Sequence, residues 1–119
     1  VLNRNLHQKC LVLYPVSEWN KLNKKLAGLN RLIQKNDLLV RKVTGGATGV
    51  ESDSAGRLLL PKSLADYAEI GADIKVIGSN NIIEIWSKSK YEEFLNTPVD
   101  LEQLAEDVLS GLNFNDDTE

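Results

Sequence analysis

With 119 residues, 42% of them hydrophobic and 26% charged, the chain has the balance of one compact region or two small halves, which excludes wholesale disorder. No apolar run reaches the ~20 residues that cross a bilayer, no signal peptide opens the sequence, and one Cys with one His excludes an internal disulfide and a Cys/His metal set, which points to a reducing, cytoplasmic setting. The net charge of −3 hides a division, since residues 1–62 hold eleven Lys/Arg against four acids and residues 63–119 hold three against thirteen.

Such an asymmetry fits two faces with different partners, the basic one able to attract phosphates. It fits equally a solvated surface with an acidic tail.

In chain order, Cys10–Tyr14 (CLVLY) reads as a short buried strand stopped by Pro15. Ser17 is the expected N-cap of a helix with Glu18 in its first turn, Trp19, Leu22 and Leu26 at helical spacing, and Gly28 as its stop. The pattern predicts a second helix over 29–43, with Leu29, Leu32, Ile33, Leu39, Val40 and Val43 on one side and Arg31, Lys35, Arg41 and Lys42 elsewhere, ended by Gly45-Gly46. Strands are predicted at 48–52 and 57–60 around a turn at 53–56. Pro61 then suits the first position of a helix running to about Ile70. Residues 74–77 and 82–86 predict a hairpin over Gly78-Ser79-Asn80-Asn81. Ser87 or Ser89 is expected to cap a helix carrying Tyr91, Phe94 and Leu95, which Pro98 breaks. Asp100 is expected to cap a last amphipathic helix with Leu101, Leu104, Ala105, Val108 and Leu109, ended by Gly111, with a frayed NFNDDTE tail.

A shift of 72 residues lays CLVLYPVSEWNKL on IIEIWSKSKYEEF, so that strand, aromatic, Ser and helix recur in the same order. Tyr14 meets Trp86, Trp19 meets Tyr91 and Leu22 meets Phe94, and Val1–Gln8 lies beside Asp73–Asn80. The expectation is a duplication of which the earlier copy is represented by its back half.

The segment ESDSAGRLLLP, 51–61, is the most specific stretch. Asp53 at a strand end can accept N–H groups of the turn, and Gly56 tolerates a left-handed backbone. Arg57 would then project from a fixed place. A guanidinium oriented by a carboxylate can bind a phosphate or a guanine edge with two donors, which favours Arg over Lys there. The spacing alone equally admits an ion pair that does no more than pin the hairpin.

Other candidates read as structural. His7 is a lone surface histidine, and Cys10 a small buried hydrophobe. Gly45–Gly49 lacks the Gly-Lys-Ser/Thr of a phosphate loop and follows a helix, so it reads as a cap. Tyr14, Trp19, Trp86 and Tyr91 read as core packing ahead of base stacking. Arg31, Lys35, Arg41 and Lys42 are either solvated or part of a wider phosphate footprint.

Taken together, LYPVSEW, the helix followed by GGA, D-SAG-R-LLLP-K-SL-Y, the hairpin into EIW and K-YEEFL resemble the MraZ family over roughly residues 10–95. Leu60 stands where that family often has Ile, Lys62-Ser63 falls where its residues vary, and the first of its two Asp-to-Arg motifs has no counterpart here. The resemblance implies an α+β fold of SpoVT/AbrB-like swapped-hairpin β-barrel units in two tandem repeats. Residues 1–44 would be the remaining C-terminal half of repeat 1, 45–96 a complete repeat 2, and 97–119 a C-terminal amphipathic helix and tail. It also implies a ring-like homo-oligomer, cytoplasmic and nucleoid-associated, that binds direct repeats in the promoter of the division and cell-wall gene cluster. Arg57 would be the DNA contact and Asp53 its orienter, with Lys62, Arg41, Lys42 and Arg31 around them. No cofactor, metal, membrane or small-molecule substrate is expected.

Two other functions stand beside this one. One is an oligomeric protein-interaction module without DNA specificity, in which the acidic half and the 100–110 helix dock a partner. The other is an enzyme; against it, Asp53 and Arg57 have no nucleophile neighbour in the sequence, no metal set exists and the one His has no evident pairing.

Overall fold

The computed structural model describes residues 1–111. The expected tail therefore lies outside the described residues, apart from the Gly111 stop. The elements are β1 (Leu2–Arg4), β2 (Leu11–Leu13), α1 (Val16–Ala27), α2 (Gln34–Thr44), α3 (Lys62–Tyr67), β3 (Ile74–Ser79), β4 (Ile82–Ser87), α4 (Lys88–Asn96) and α5 (Leu101–Leu109). This is an α+β arrangement. The four strands form one antiparallel sheet in the order β1-β2-β4-β3.

Alternation along the strands gives the sheet two faces. Leu2, Leu11 and Ile85 are buried on one face under Leu64 and Ala68 of the α3 segment, with Leu13, Val50, Leu60, Tyr67 and Ile70 packed around them. The row Asn3, Val12, Glu84 lies on the other face. There the amide of Asn3 donates to the Val43 carbonyl at 2.6 Å, tying β1 to α2, and Trp86 packs on Tyr91 and Phe94 of α4. A smaller cluster, Leu26, Val40 and Val43 with Leu22 and Leu29, holds α1 against α2.

Several boundaries differ from those the pattern predicts. Pro15 occupies the N-cap of α1 and Ser17 lies inside the helix, because the fixed φ of proline already sets the entry. α2 begins at Gln34, not 29: the Asn30 side chain accepts the Leu32 amide, and the Asn36 side chain donates to the Asn30 carbonyl, so local polar bonds displace the first helical turn. Ser87 does stand at the N-cap of α4, but it makes no capping bond, its hydroxyl lying 3.1 Å from that of Ser89. The β3–β4 turn is shorter than expected and centres on Asn80, at φ 56°. Asp100 caps α5 as expected, accepting the Gln103 amide at 3.0 Å.

The largest difference concerns the strands expected at 48–52 and 57–60. Residues 49–60 form no strand, and only Thr48 pairs, in an isolated antiparallel bridge with Leu2. Among the described residues no strand pairs with this arm, and a ladder needs one. Conversely, β1 is a strand that its short, part-polar sequence does not announce.

The β2–β4 register is its own image under the 72-residue shift. Leu11 pairs with Ile85 and Leu13 with Ile83, while the shift superposes Leu11 on Ile83 and Leu13 on Ile85, so an approximate twofold passes between Val12 and Glu84. The aromatic contacts follow it: Tyr14 and Trp19 have ring centroids 5.5 Å apart, Trp86 and Tyr91 5.3 Å. The outer strands obey a shift of 74, since Leu2 opposes Leu13 where Val76 opposes Ile85. A longer connection, residues 5–10, absorbs the two extra positions.

Candidate nucleic-acid interface

The 53–57 turn is built from Asp53 outward. Gly56 N–H donates to the Asp53 carbonyl at 3.0 Å and Asp53 N–H to the Arg57 carbonyl at 2.9 Å, closing the chain on itself. Gly56 sits at φ +78°, the left-handed region that side chains resist. The carboxylate then accepts three hydrogen bonds. Oδ1 takes the amides of Ala55 and Arg57, both at 2.9 Å, and Oδ2 takes Nε of Arg57 at 2.9 Å.

These donors hold the Asp53 carboxyl below its ordinary 3.8, the Arg57 amide first among them, against a smaller opposing effect of desolvation. Only Asp has this reach: Glu would carry the carboxylate past the turn amides, and Asn would face the Nε–H donor with a second donor. Because Asp53 binds Arg57 through Nε, both terminal nitrogens of the guanidinium are left without a hydrogen-bond partner among the described residues. The Arg57 side chain is 81% exposed.

The pair is electrically close to neutral, so it serves as a directed donor fork more than as a source of attraction for polyanions. The other anticipated basic residues differ in their freedom. Arg31 and Arg41 are brought together by Asp37, whose two oxygens take their Nε atoms at 2.6 and 2.8 Å. That places a net single positive charge at the start of α2 and lowers the Asp37 carboxyl, the Arg41 bond being the largest cause. Asp37 was not singled out in the sequence, although its spacing of four from Arg41 was the available signal. Lys62 makes a loose 3.6 Å pair with Asp66 and is almost fully exposed. Lys42 is exposed and makes no ion pair among the described residues. Arg4 and Lys9, also unflagged, lie over the Tyr67 ring at 5.6 and 5.9 Å.

Among the described residues, no group of three His, Cys, Asp or Glu could hold a metal ion, and no helix is long and apolar enough to cross a membrane.

Comparison with known proteins decides the family. A family model described as "MraZ protein, putative antitoxin-like" matches residues 43–110, and so covers the Asp53–Arg57 turn. Over 98% of its length the chain is 44% identical to a protein of Flavobacterium psychrophilum named transcriptional regulator MraZ, covering 74% of that relative. The chain belongs to the MraZ family. A MraZ of Christiangramia forsetii is also 44% identical, over 97% of this chain and 75% of its own length. The MraZ of Clostridium tetani is 40% identical over 89% of this chain and 74% of its own. Both are named transcriptional regulators.

Proposed function

We propose that this chain is a DNA-binding transcriptional regulator and not an enzyme, and that it reads base edges with Arg57 held by Asp53. The observation that carries this is the division of labour within the turn. Asp53 consumes the Nε donor, and the two terminal nitrogens, on an exposed side chain, match the two acceptors on a guanine edge in a major groove. Lys42, Lys62 and the Arg31–Asp37–Arg41 triad supply contacts to phosphate, which fix position without reading sequence.

On this reading the approximate twofold relates tandem SpoVT/AbrB-type repeats, with residues 1–44 in one and 45–96 in the next. The 49–60 arm, lacking a ladder and exposing Leu59 to 87%, is then the hairpin that exchanges with a partner to complete a barrel. Copies assemble into a ring, presenting Arg57 turns at a fixed pitch to direct repeats in the promoter of the division and cell-wall cluster, so that individually weak contacts add. Such a protein works at the nucleoid.

The test is a mobility shift on a promoter fragment carrying the direct repeats, against a scrambled fragment, at several salt concentrations. The reading expects preference for the repeats and an affinity that falls steeply with salt. Equal affinity for both fragments, or a flat salt dependence, would overturn it.

A further inference from the structure

α5 is a well-formed amphipathic helix whose apolar side is left uncovered by the described residues. Leu101, Leu104, Val108 and Leu109 are 69%, 45%, 58% and 46% exposed, and no residue of the helix is buried. Glu102, Glu106 and Asp107 surround that stripe, with no base on the helix. Exposed apolar stripes of this kind mark docking surfaces.

The opposite character occurs along α1. A groove of about 610 Å³ runs there, floored by Tyr14, Leu22 and Ile82 and walled by Lys21, Lys24 and Lys25. Three lysines face a single acid, Glu18, which pairs with Lys21 at 3.1 Å, and Lys24 and Lys25 make no ion pair among the described residues. Lys21 and Lys25 stand one helical turn apart, as do Glu102 and Glu106. The groove thus offers an apolar floor with basic walls, and α5 an apolar stripe with acidic flanks.

We propose that α5 of one copy docks in the α1 groove of a second copy. Both halves of the contact belong to the same sequence, so each copy presents one helix and one groove at equal concentration. Two different surfaces meet; repeated head-to-tail, the contact closes into a ring when the rotation permits, the alternative to a reciprocal exchange within one pair. The division of charge between the halves of the chain acquires a cause, since opposite walls align the helix as it seats. This rests on the self-assembly reading above and names its junction.

The test uses light scattering on the full chain and on two variants, with circular dichroism as the check on folding. The helix variant is Leu104→Asp with Val108→Asp. The groove variant is Lys21→Glu with Lys25→Glu. Each alone should lose the assembled mass and retain helix content. An equimolar mixture should give a dimer and nothing larger, because such a pair holds one sound junction. Adding Glu102→Lys and Glu106→Lys to the groove variant should restore the assembled mass.

Wild-type mass in both variants would overturn the junction while leaving self-assembly standing. Loss of assembly without a dimer on mixing would also overturn it, because α5 and the groove would then not be each other's partners. A monomeric wild type would remove the assembly reading itself.

Discussion

Asp53 and Arg57 meet at 2.9 Å through Oδ2 and Nε, while the other oxygen of Asp53 is engaged by the amides of Ala55 and Arg57. The carboxylate therefore fixes the backbone of the turn and the direction of the guanidinium in one step. A side chain 81% exposed would otherwise sample many rotamers. Restricting them before binding reduces the ordering cost that an exposed arginine bears at a base edge.

Gly56→Ala tests the backbone half of this arrangement. A Cβ at Gly56 would meet no atom within 4 Å, so its only penalty is the φ of +78°. That penalty is about 1–2 kcal/mol and falls on an exposed arm. The expected result is weaker promoter binding with an unchanged melting temperature. Gly56→Asn, which tolerates left-handed geometry better, should recover part of the affinity.

The turn should also carry a pH signature. Its Asp53 carboxyl lies below the ordinary 3.8 in the folded turn, so the ordered form is favoured at every pH above the unfolded value. That advantage is lost as pH falls through the depressed value. The Ala55 and Arg57 amide resonances should hold steady from neutrality to about pH 5 and move only below the usual carboxylate range. In Asp53→Asn the step at Ala55 and Arg57 should vanish.

How far the sequence announces this structure depends on whether the cause is local. Pro15 ending an apolar run, Gly45 after a basic last turn and Asp100 before an amphipathic stripe act through their nearest neighbours, and each sits at an element boundary. The turn at 53–57 was legible for the same reason, since Asp and Gly carry its geometry. β1 was not, because a three-residue strand with a polar centre is decided by Asn3 reaching Val43, forty residues away. The 49–60 arm departs from its sequence in the other direction. It has strand-like residues with no strand paired to it among the described residues. Nor could spacing tell that Asp53 would take Nε and leave the terminal nitrogens without a partner among the described residues.

Asn3 supplies the stability prediction. It is 3% exposed, and its amide is the donor to the Val43 carbonyl at 2.6 Å. Asn3→Ala leaves that carbonyl without this partner and should cost about 1–3 kcal/mol in urea denaturation. An unchanged midpoint would show that the Asn3–Val43 bond adds nothing to the stability of the fold.

Cys10 reports on the same sheet. Burial, with the nearby Glu84 charge as a lesser cause, pushes its thiol up to about 12. A thiol-specific reagent at pH 8 should label the native chain slower than the unfolded one by on the order of a hundred-fold or more. Labelling at the unfolded rate would mean that the β1–β2 connection opens freely.

The central claim is tested most directly at Arg57 itself, by measuring promoter affinity for the wild type, Arg57→Lys and Arg57→Ala at one salt concentration. A two-donor base contact is worth ~1–3 kcal/mol per site, so Arg57→Ala should weaken binding by at least roughly five-fold. Arg57→Lys, which keeps the charge and loses the planar fork, should fall close to the alanine variant. If Lys binds like Arg, position 57 supplies only charge; if Ala binds like Arg, the turn does not touch DNA.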